Sequence, residues 1–373
     1  MRDEIRIALI GFGGMGQNYA KMINFGMVPG MKLVGVCCRN EPGQALLRDS
    51  FPGVALYRNL EEMKARADDY DAALIVTPHK THVSIGMELA KLGKHLLMDK
   101  PVGISAGEVR ELVELCEEKK LALGVIFNNR QLPAFRKAKE ILSSGALGEL
   151  HRAAWICNNW YRSPAYHASA AWRSSWNGEC GGMLINQTPH NLDLWNWLFG
   201  QPDRVYAQLD FGRYNDFLVE DSADIQFAYD NGFHGTFVAA TGEAPGVNRL
   251  EIWGSKGRLT VEDSARVTLD ENEMDLEEFG KVNREQFGAV PHTLREVEME
   301  PADNPYVRVF SNYVRHLTEG EPLYVDGRDG LKEVELANAI YVSGWEEVRV
   351  NLPVAEERFL SGLWARQEEE RSR

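Results

Sequence analysis

The sequence predicts an α/β protein in two parts: an N-terminal doubly wound parallel sheet, then a C-terminal α+β domain with a large, mainly antiparallel sheet. Three observations predict it. From Ile5 to about residue 127, short apolar runs alternate with amphipathic ones, the pattern of successive βαβ units. A glycine cluster, Gly11-Phe12-Gly13-Gly14-Met15-Gly16, sits where the first apolar run meets the first amphipathic run. Beyond residue 204, strand-like runs follow one another with no helix between them, which reads as antiparallel pairing. A chain of 373 residues is too long for one core. The change of pattern puts the boundary between residues 1–130 and 131–373.

Ile5–Ile10 reads as the first strand and the run after the glycines, QNYAKMINF, as the first helix. Strand, tight turn and helix form the context in which G-x-G-x-x-G binds a dinucleotide. The first glycine permits the turn, the second lets a pyrophosphate approach the backbone, and the third lets helix and strand pack closely. The helix N-terminus then faces the anion. Gly11, Phe12, Gly13, Gly14, Met15 and Gly16 are therefore assigned to a dinucleotide, and the domain to the Rossmann type. Lys32–Cys37 reads as the second strand. An acid just past it would bond the adenosine ribose. Here the chain runs Cys38-Arg39-Asn40, with no acid. A forked, charged guanidinium suits a 2′-phosphate, so NADP is favoured over NAD. The alternative is that Arg39 is a solvated residue that stacks on the adenine.

The alternation continues with a strand at Val54–Tyr57 and a helix at Leu60–Ala67. The strand Ala72–Val76 ends in Thr77-Pro78-His79-Lys80-Thr81-His82, and the helix Val83–Leu92 follows. His95–Met98 ends in Asp99-Lys100-Pro101; Ser105, with Glu108, caps the next helix. Ala122–Phe127 ends in Asn128-Asn129-Arg130. Ligands of such sheets gather at the carboxyl ends of the strands, where these polar clusters fall. Thr77, Pro78, His79, His82, Asp99, Lys100 and Asn128 are assigned to the cofactor. Lys100 and Arg130 are assigned to substrate.

Pro133–Ser144 reads as a helix closed by Gly145 and Gly148. His151 to Trp176 is rich in rings with polar handles, among them Trp155, Trp160, Tyr161, Tyr166, His167, Trp172 and Arg173. Such rings either face a sugar, stacking on its C–H surface, or pin down their own loop; both readings stand. Next comes GGMLINQTPHNLD, Gly181 to Asp193, in which two glycines open an amphipathic run, read as one helix that continues to Leu198. Asn186 and His190 are then four residues apart on one face, with Asp193 close to it, and Met183, Leu184, Leu192, Leu194, Trp195 and Leu198 opposite. An amide and an imidazole turned to one spot suit proton transfer; the bland alternative is a core helix with an inert histidine.

Strands are expected at Val205–Phe211, Ala223–Tyr229, Phe233–Thr241 and Arg249–Gly254, then shorter ones to Leu269. Asp230-Asn231-Gly232 marks a hairpin. Residues 270–290 read as an irregular acidic connection, and Pro305–Glu319 and Gly327–Arg349 as helices that pack back on the first domain. The charged tail from Glu357 is expected to fray.

At 44% hydrophobic and 26% charged the composition is that of an ordinary globular protein. A formal net charge of −14 disfavours nucleic acid and anionic membranes as partners. Five cysteines, Cys37, Cys38, Cys116, Cys157 and Cys180, show no C-x-x-C spacing. They read as buried thiols of a reducing compartment, with no zinc or other metal site. No signal peptide or membrane span is recognised, so a cytoplasmic protein is expected.

Together the GFGGMG turn, TPHKTH, Asp99-Lys100-Pro101, SSGALGEL at Ser143–Leu150 and the Gly181–Gly200 segment resemble the Gfo/Idh/MocA oxidoreductases, the family of glucose–fructose oxidoreductase and inositol dehydrogenases. The resemblance runs from Ile5 to about Leu352. It implies an NAD(P)-dependent dehydrogenase of a sugar, glycoside or cyclitol. DKP resembles the family's E-K-P, whose lysine is catalytic, and that role carries over to Lys100. The family's G-G-x-x-x-D-x-x-x-H lands on Asn186 and His190; the asparagine departs from the usual Asp and resembles an N-Q-x-P-H branch. Trp172-Arg173 resembles a W-R pair that lies near cofactor or substrate, so both residues are assigned to either; Tyr161 and Tyr166 are assigned to substrate on the aromatic character of their stretch. Alcohol oxidation needs a hydride acceptor and a base. His190 suits the base, Lys100 a charge at the alkoxide, and Asn186 an amide that orients without titrating. Two other classes stay open: a dinucleotide-binding sensor without turnover, and a sugar–sugar oxidoreductase that retains NADP. An exposed sheet face in the second domain implies a homo-oligomer, dimer or tetramer.

Overall fold

The computed structural model describes residues 4–170 and 172–373. The described residues divide into two compact units, 4–128 with 303–334, and 129–302 with 335–373. The chain thus passes between the units three times, after residue 128, after residue 302, and inside the helix Gly327–Glu346.

The first unit holds six strands: β1 (Ile5–Ile10), β2 (Met31–Cys37), β3 (Ala55–Tyr57), β4 (Ala72–Ile75), β5 (His95–Met98) and β6 (Leu123–Val125). All pair in parallel, in the order β3-β2-β1-β4-β5-β6. Strands covered on both faces are apolar throughout, and β4, AALI, is buried at every position. One face packs under the helices Gly14–Asn24 and Pro305–Glu319: Tyr19 meets Phe310 at 5.2 Å between ring centroids. The other face packs under His82–Lys91 and Ala106–Glu118 through Leu89, Val109 and Leu112. Ser105 caps the latter helix as expected, accepting from the Glu108 amide.

The second unit is built on nine strands: β7 (Leu150–Cys157), β8 (Arg204–Phe211), β9 (Glu220–Ala228), β10 (His234–Ala240), β11 (Asn248–Gly254), β12 (Gly257–Glu262), β13 (Arg266–Asn272), β14 (His292–Glu296) and β15 (Val350–Asn351). Their order is β14-β13-β12-β11-β7-β10-β9-β8-β15, antiparallel except where β7 lies parallel to β10. Burial alternates along β8, through most of β7 and β10, and in the second half of β9. The inner face carries Trp155, Phe227 and Phe237, and the helices Pro133–Ser143 and Pro189–Phe199 cover it: Phe135 meets Trp155 at 5.7 Å and Trp195 meets Phe227 at 4.7 Å. The outward face carries polar ladders such as Arg249 with Glu251 and Glu262.

Three expectations need correction. The 270–290 connection contains a helix, Leu276–Val282, capped by Asp275. The charged tail does not fray but forms the helix Glu356–Ser372. Its buried Phe359 and Leu363 anchor it, and Glu370 accepts from the backbone amides of Trp176 and Asn177 at 2.9 and 2.7 Å. The stretch expected as one helix from residue 183 to 198 is two, Met183–Asn186 and Pro189–Phe199. Proline lacks the amide needed to continue the first helix and suits the first position of the second.

Candidate active site

Parallel register aligns the ends of the first sheet. Ile10 pairs with Cys37 and with Ile75, Ile75 with Met98, and Met98 with Val125. The residues just beyond those partners, Gly11, Cys38, Val76, Asp99 and Ile126, therefore form one row. This edge carries the glycine turn, Arg39, Thr77, Lys100 and Asn128. The strand order reverses between β1 and β4, where such sheets bind ligands.

The glycine turn fits a dinucleotide phosphate. Gly11 has φ 100°, and a Cβ there would meet the Val76 carbonyl oxygen at 2.3 Å. A Cβ on Gly16 would meet the Gly11 oxygen at 2.0 Å, so the helix starts hard against the turn. Around Gly13 and Gly14 a Cβ would find nothing within 4 Å. Gly13 is the N-cap of Gly14–Asn24 without a side-chain hydrogen bond, so its open space faces uncapped amides. Phe12 turns its ring into the core against Phe51, and its carbonyl accepts from Gln17 Nε2 at 3.1 Å. Met15 is exposed.

At the end of β2, Arg39 is exposed. Burial raises the pKa of the Cys38 thiol, which donates to the Asn40 carbonyl. The Asn40 side chain caps the next helix, accepting from the Gly43 amide at 2.7 Å. Arg39 is thus the charged group that this strand end presents.

The sequence assigns His82 to the cofactor, and the structure corrects this. Its ring is buried, with Nδ1 2.8 Å from the Pro101 carbonyl oxygen and Nε2 2.6 Å from that of Thr77. It ties the β4 and β5 loops together instead of meeting a ligand, and burial lowers its pKa. Thr81 donates to Pro78 O at 2.7 Å, closing the same loop. Asp99 accepts from the Lys100 amide and, at 3.4 Å, from the Tyr19 hydroxyl. Burial raises its pKa, with the Lys100 charge opposing. Lys100 itself is half-buried.

The assignment of Arg130 to substrate is corrected as well. Its guanidinium is 3% exposed and forks onto Asp193, Nε to Oδ2 at 2.8 Å and Nη2 to Oδ1 at 2.7 Å. Asp193 is accordingly engaged by Arg130. Leaving either buried charge without its partner would cost several kcal/mol, so the pair is a structural tie in this unit.

In the second unit, residues 181–190 are buried except at Asn186, Gln187 and His190, which are half-buried. Those three side chains are what this segment presents. The turn that carries them is held by Glu220, fully buried on β9. It accepts from the Gly182 amide at 3.0 Å, the Leu184 amide at 2.8 Å and the Tyr341 hydroxyl at 2.8 Å. Burial nevertheless pushes its pKa up to about 7, against these donors. A carboxyl raised on folding favours the protonated native state. Its stabilisation is complete below the unfolded value near 4.5 and is lost as pH rises through about 7. Between pH 5 and 8 the protein is therefore expected to lose on the order of 3 kcal/mol from this group. Denaturant unfolding of Glu220→Gln should show a smaller loss over that range; an equal loss in both proteins contradicts the assignment.

The aromatic loop lies in the same unit. Arg173 stands over the Tyr166 ring at 4.5 Å and the Trp172 ring at 4.8 Å, and donates to the Tyr166 hydroxyl at 2.8 Å. Gln187 donates to that hydroxyl at 3.1 Å. Tyr166, Trp172 and Arg173 thus form one cluster, joined to the motif segment through the residue after Asn186. Tyr161 is exposed. Trp155 and Trp176 are core. The loop is therefore divided, with some rings pinning it and others presented. Glu220 and Glu370 escape the sequence reading because acids that accept from distant backbone amides carry no local spacing signal, and Glu179 escapes it because it lies in no regular element whose period would mark it.

All five cysteines are free and buried. Among the described residues no metal-ligand cluster is present and no helix is long and apolar enough to cross a membrane.

Residues 5–127 match the family model described as an oxidoreductase family with an NAD-binding Rossmann fold, and residues 135–260 match that of the GFO/IDH/MocA C-terminal domain. The chain is 23% identical over 356 residues to a myo-inositol 2-dehydrogenase of Thermotoga maritima, covering 93% of this chain and 98% of that one. It is similar to the WlbA dehydrogenase of Bordetella pertussis, solved with NADH and UDP-GlcNAcA, at TM-score 0.78 and 25% identity, over 94% of this chain and all of that one. A levoglucosan dehydrogenase solved with NADH and levoglucosan has the same fold, with TM-score 0.79 and 19% identity, over 94% of this chain and 100% of that one.

Proposed function

The chain belongs to the Gfo/Idh/MocA oxidoreductase family, and on that premise we propose that it moves a hydride between a nicotinamide and a secondary hydroxyl or ketone of a sugar, glycoside or cyclitol. It is an NAD(P)-dependent oxidoreductase acting on CH–OH groups. The observation that carries the proposal is the carboxyl edge of the first sheet, where register aligns an open glycine turn with Arg39, Thr77 and Lys100. The curated relatives named as inositol 2-dehydrogenases support the substrate class.

Gly13 and Gly14 would hold the pyrophosphate, aided by the backbone around Phe12 and Met15. Arg39 would meet the adenosine end, with Cys38 and Asn40 shaping that turn, and Thr77, Pro78, His79, Asp99 and Asn128 would line the rest of the edge. When bound, the nicotinamide accepts or returns the hydride. His190 takes the hydroxyl proton in oxidation and returns it in reduction. The Lys100 ammonium stabilises the alkoxide as it forms. Asn186 orients the substrate hydroxyl. Tyr161, Tyr166, Trp172 and Arg173 present stacking faces and donors to the sugar. The roles of Lys100 and His190 follow from the match of each to its motif.

NADP is the preferred cofactor in this proposal. The exposed Arg39 and the absence of an acid at the end of β2 support it. Fluorescence titration should show NADPH binding more tightly than NADH. Arg39→Ala should weaken NADPH about tenfold, the scale of a charged hydrogen bond, and leave NADH nearly unchanged. Tighter binding of NADH by the wild-type protein would sink this preference. We also propose a cytoplasmic homo-oligomer, dimer or tetramer. Five free buried thiols support the reducing compartment. The outward face of the nine-stranded sheet, with Ile156 46% and Tyr206 38% exposed, supports association; light scattering distinguishes it from a monomer.

A further inference from the structure

We propose that Glu179 is a positioning residue that fixes the Asn186 amide, so that Asn186 meets substrate as a hydrogen-bond acceptor. The proposal rests on Asn186 being the group that orients the substrate hydroxyl. Glu179 is 3% exposed. One carboxylate oxygen, Oε1, accepts from Asn186 Nδ2 at 2.5 Å; the other, Oε2, accepts from the Ser174 amide at 2.9 Å. An ionised carboxylate has only acceptors, so the amide must turn its NH2 toward it. In a planar amide the carbonyl oxygen then points away from Glu179. An asparagine without such a contact is ambiguous, since rotation by half a turn exchanges donor and acceptor. The Glu179 contact removes that ambiguity. The oxygen turned away from Glu179 is an acceptor only, so toward a substrate hydroxyl it can accept and cannot donate.

The same carboxylate reaches the aromatic loop. Ser174, whose amide donates to it, follows Arg173 and has φ 50°; Cys180 beside Glu179 has φ 66°. Non-glycine residues hold this conformation only where their surroundings enforce it, and such positions gather at functional sites. Ser174 Oγ is in turn 2.6 Å from His167 Nδ1. One buried acid thus sets both the amide of the motif segment and the backbone next to Arg173.

A reciprocal exchange tests this. Wild type, Glu179→Gln, Asn186→Asp and the double variant are compared for kcat and KM with myo-inositol, D-glucose and methyl β-D-glucoside, alongside thermal unfolding. Glu179→Gln sets amide against amide and frees the flip, so kcat/KM should fall about tenfold, the scale of one charged hydrogen bond. Asn186→Asp sets carboxylate against carboxylate, which forces the pair to share a proton; a comparable fall is expected. The double variant restores amide against carboxylate with the roles exchanged, and the carboxylate now on the motif segment again offers an outward acceptor. Its rate should return to within about threefold of wild type, beyond what additive losses allow. A Glu179→Gln variant at the wild-type rate overturns the proposal. So does a double variant as slow as the product of the two single losses, whatever its melting temperature. If Glu179→Gln fails to fold, the Asn186→Asp arm decides: rescue by the second change supports the proposal and no rescue overturns it. Failure of the wild-type protein on every compound would instead contradict the substrate class, a result separate from any difference among variants.

Discussion

Lys100→Met is expected to lower kcat by about 10³-fold or more, the scale of removing a preorganised charge or donor from a developing oxyanion. Methionine keeps much of the length and apolar stem of lysine and removes only the ammonium. Lys100 is half-buried just past β5, outside the cores on either face of the sheet. Folding should therefore be retained, which circular dichroism checks. The loss should fall on kcat more than on KM, because the charge matters most when the alkoxide forms. A variant within about tenfold of the wild-type kcat, with hydride transfer rate-limiting, would remove Lys100 from the chemistry.

His190→Ala is expected to cost about 10²–10⁴-fold in kcat, the usual effect of losing a general base. NADPH affinity should stay the same, since the cofactor assignments lie mainly on the other unit. In the oxidation direction the base must be unprotonated, so the wild-type rate should rise with pH on a limb set by that base. That limb should vanish in the variant. Near-full kcat in His190→Ala, with a primary isotope effect from a deuterated substrate, would hand the proton to another group or to water.

How much of this is legible in the sequence depends on whether the signal is local. The glycine turn, the Ser105 cap and the strand ends at Cys38, Thr77 and Asp99 each sit within a few residues of the feature that explains them, and all can be read. The polar ends become a row only through register, which the parallel order of the strands supplies. His82 and Arg130 fall on the expected loops but with other partners. Their side chains turn inward, to carbonyls of Thr77 and Pro101 and to Asp193, and nothing within a few residues distinguishes an inward polar group from an outward one. The tail is misread for a related reason. Its buried face is only Phe359 and Leu363, too narrow for an amphipathic signal, and Glu370 holds a segment far away in the chain. The helix from residue 183 is over-extended because apolar spacing carries through Pro189 while the hydrogen-bond ladder does not.

The most direct measurement of the central claim is hydride transfer itself. The purified protein is incubated with NADP and, separately, NAD, against myo-inositol and a panel of sugars and methyl glycosides, each also supplied with deuterium on its ring carbons. The near-ultraviolet absorbance of reduced nicotinamide should grow with at least one compound. Mass spectrometry should find the deuterium on the nicotinamide, and the signal should collapse in His190→Ala and Lys100→Met. Tight cofactor binding with no reduced nicotinamide from any compound, and no oxidation of the reduced cofactor by the corresponding ketones, would contradict it and leave a dinucleotide-binding protein without turnover on this class.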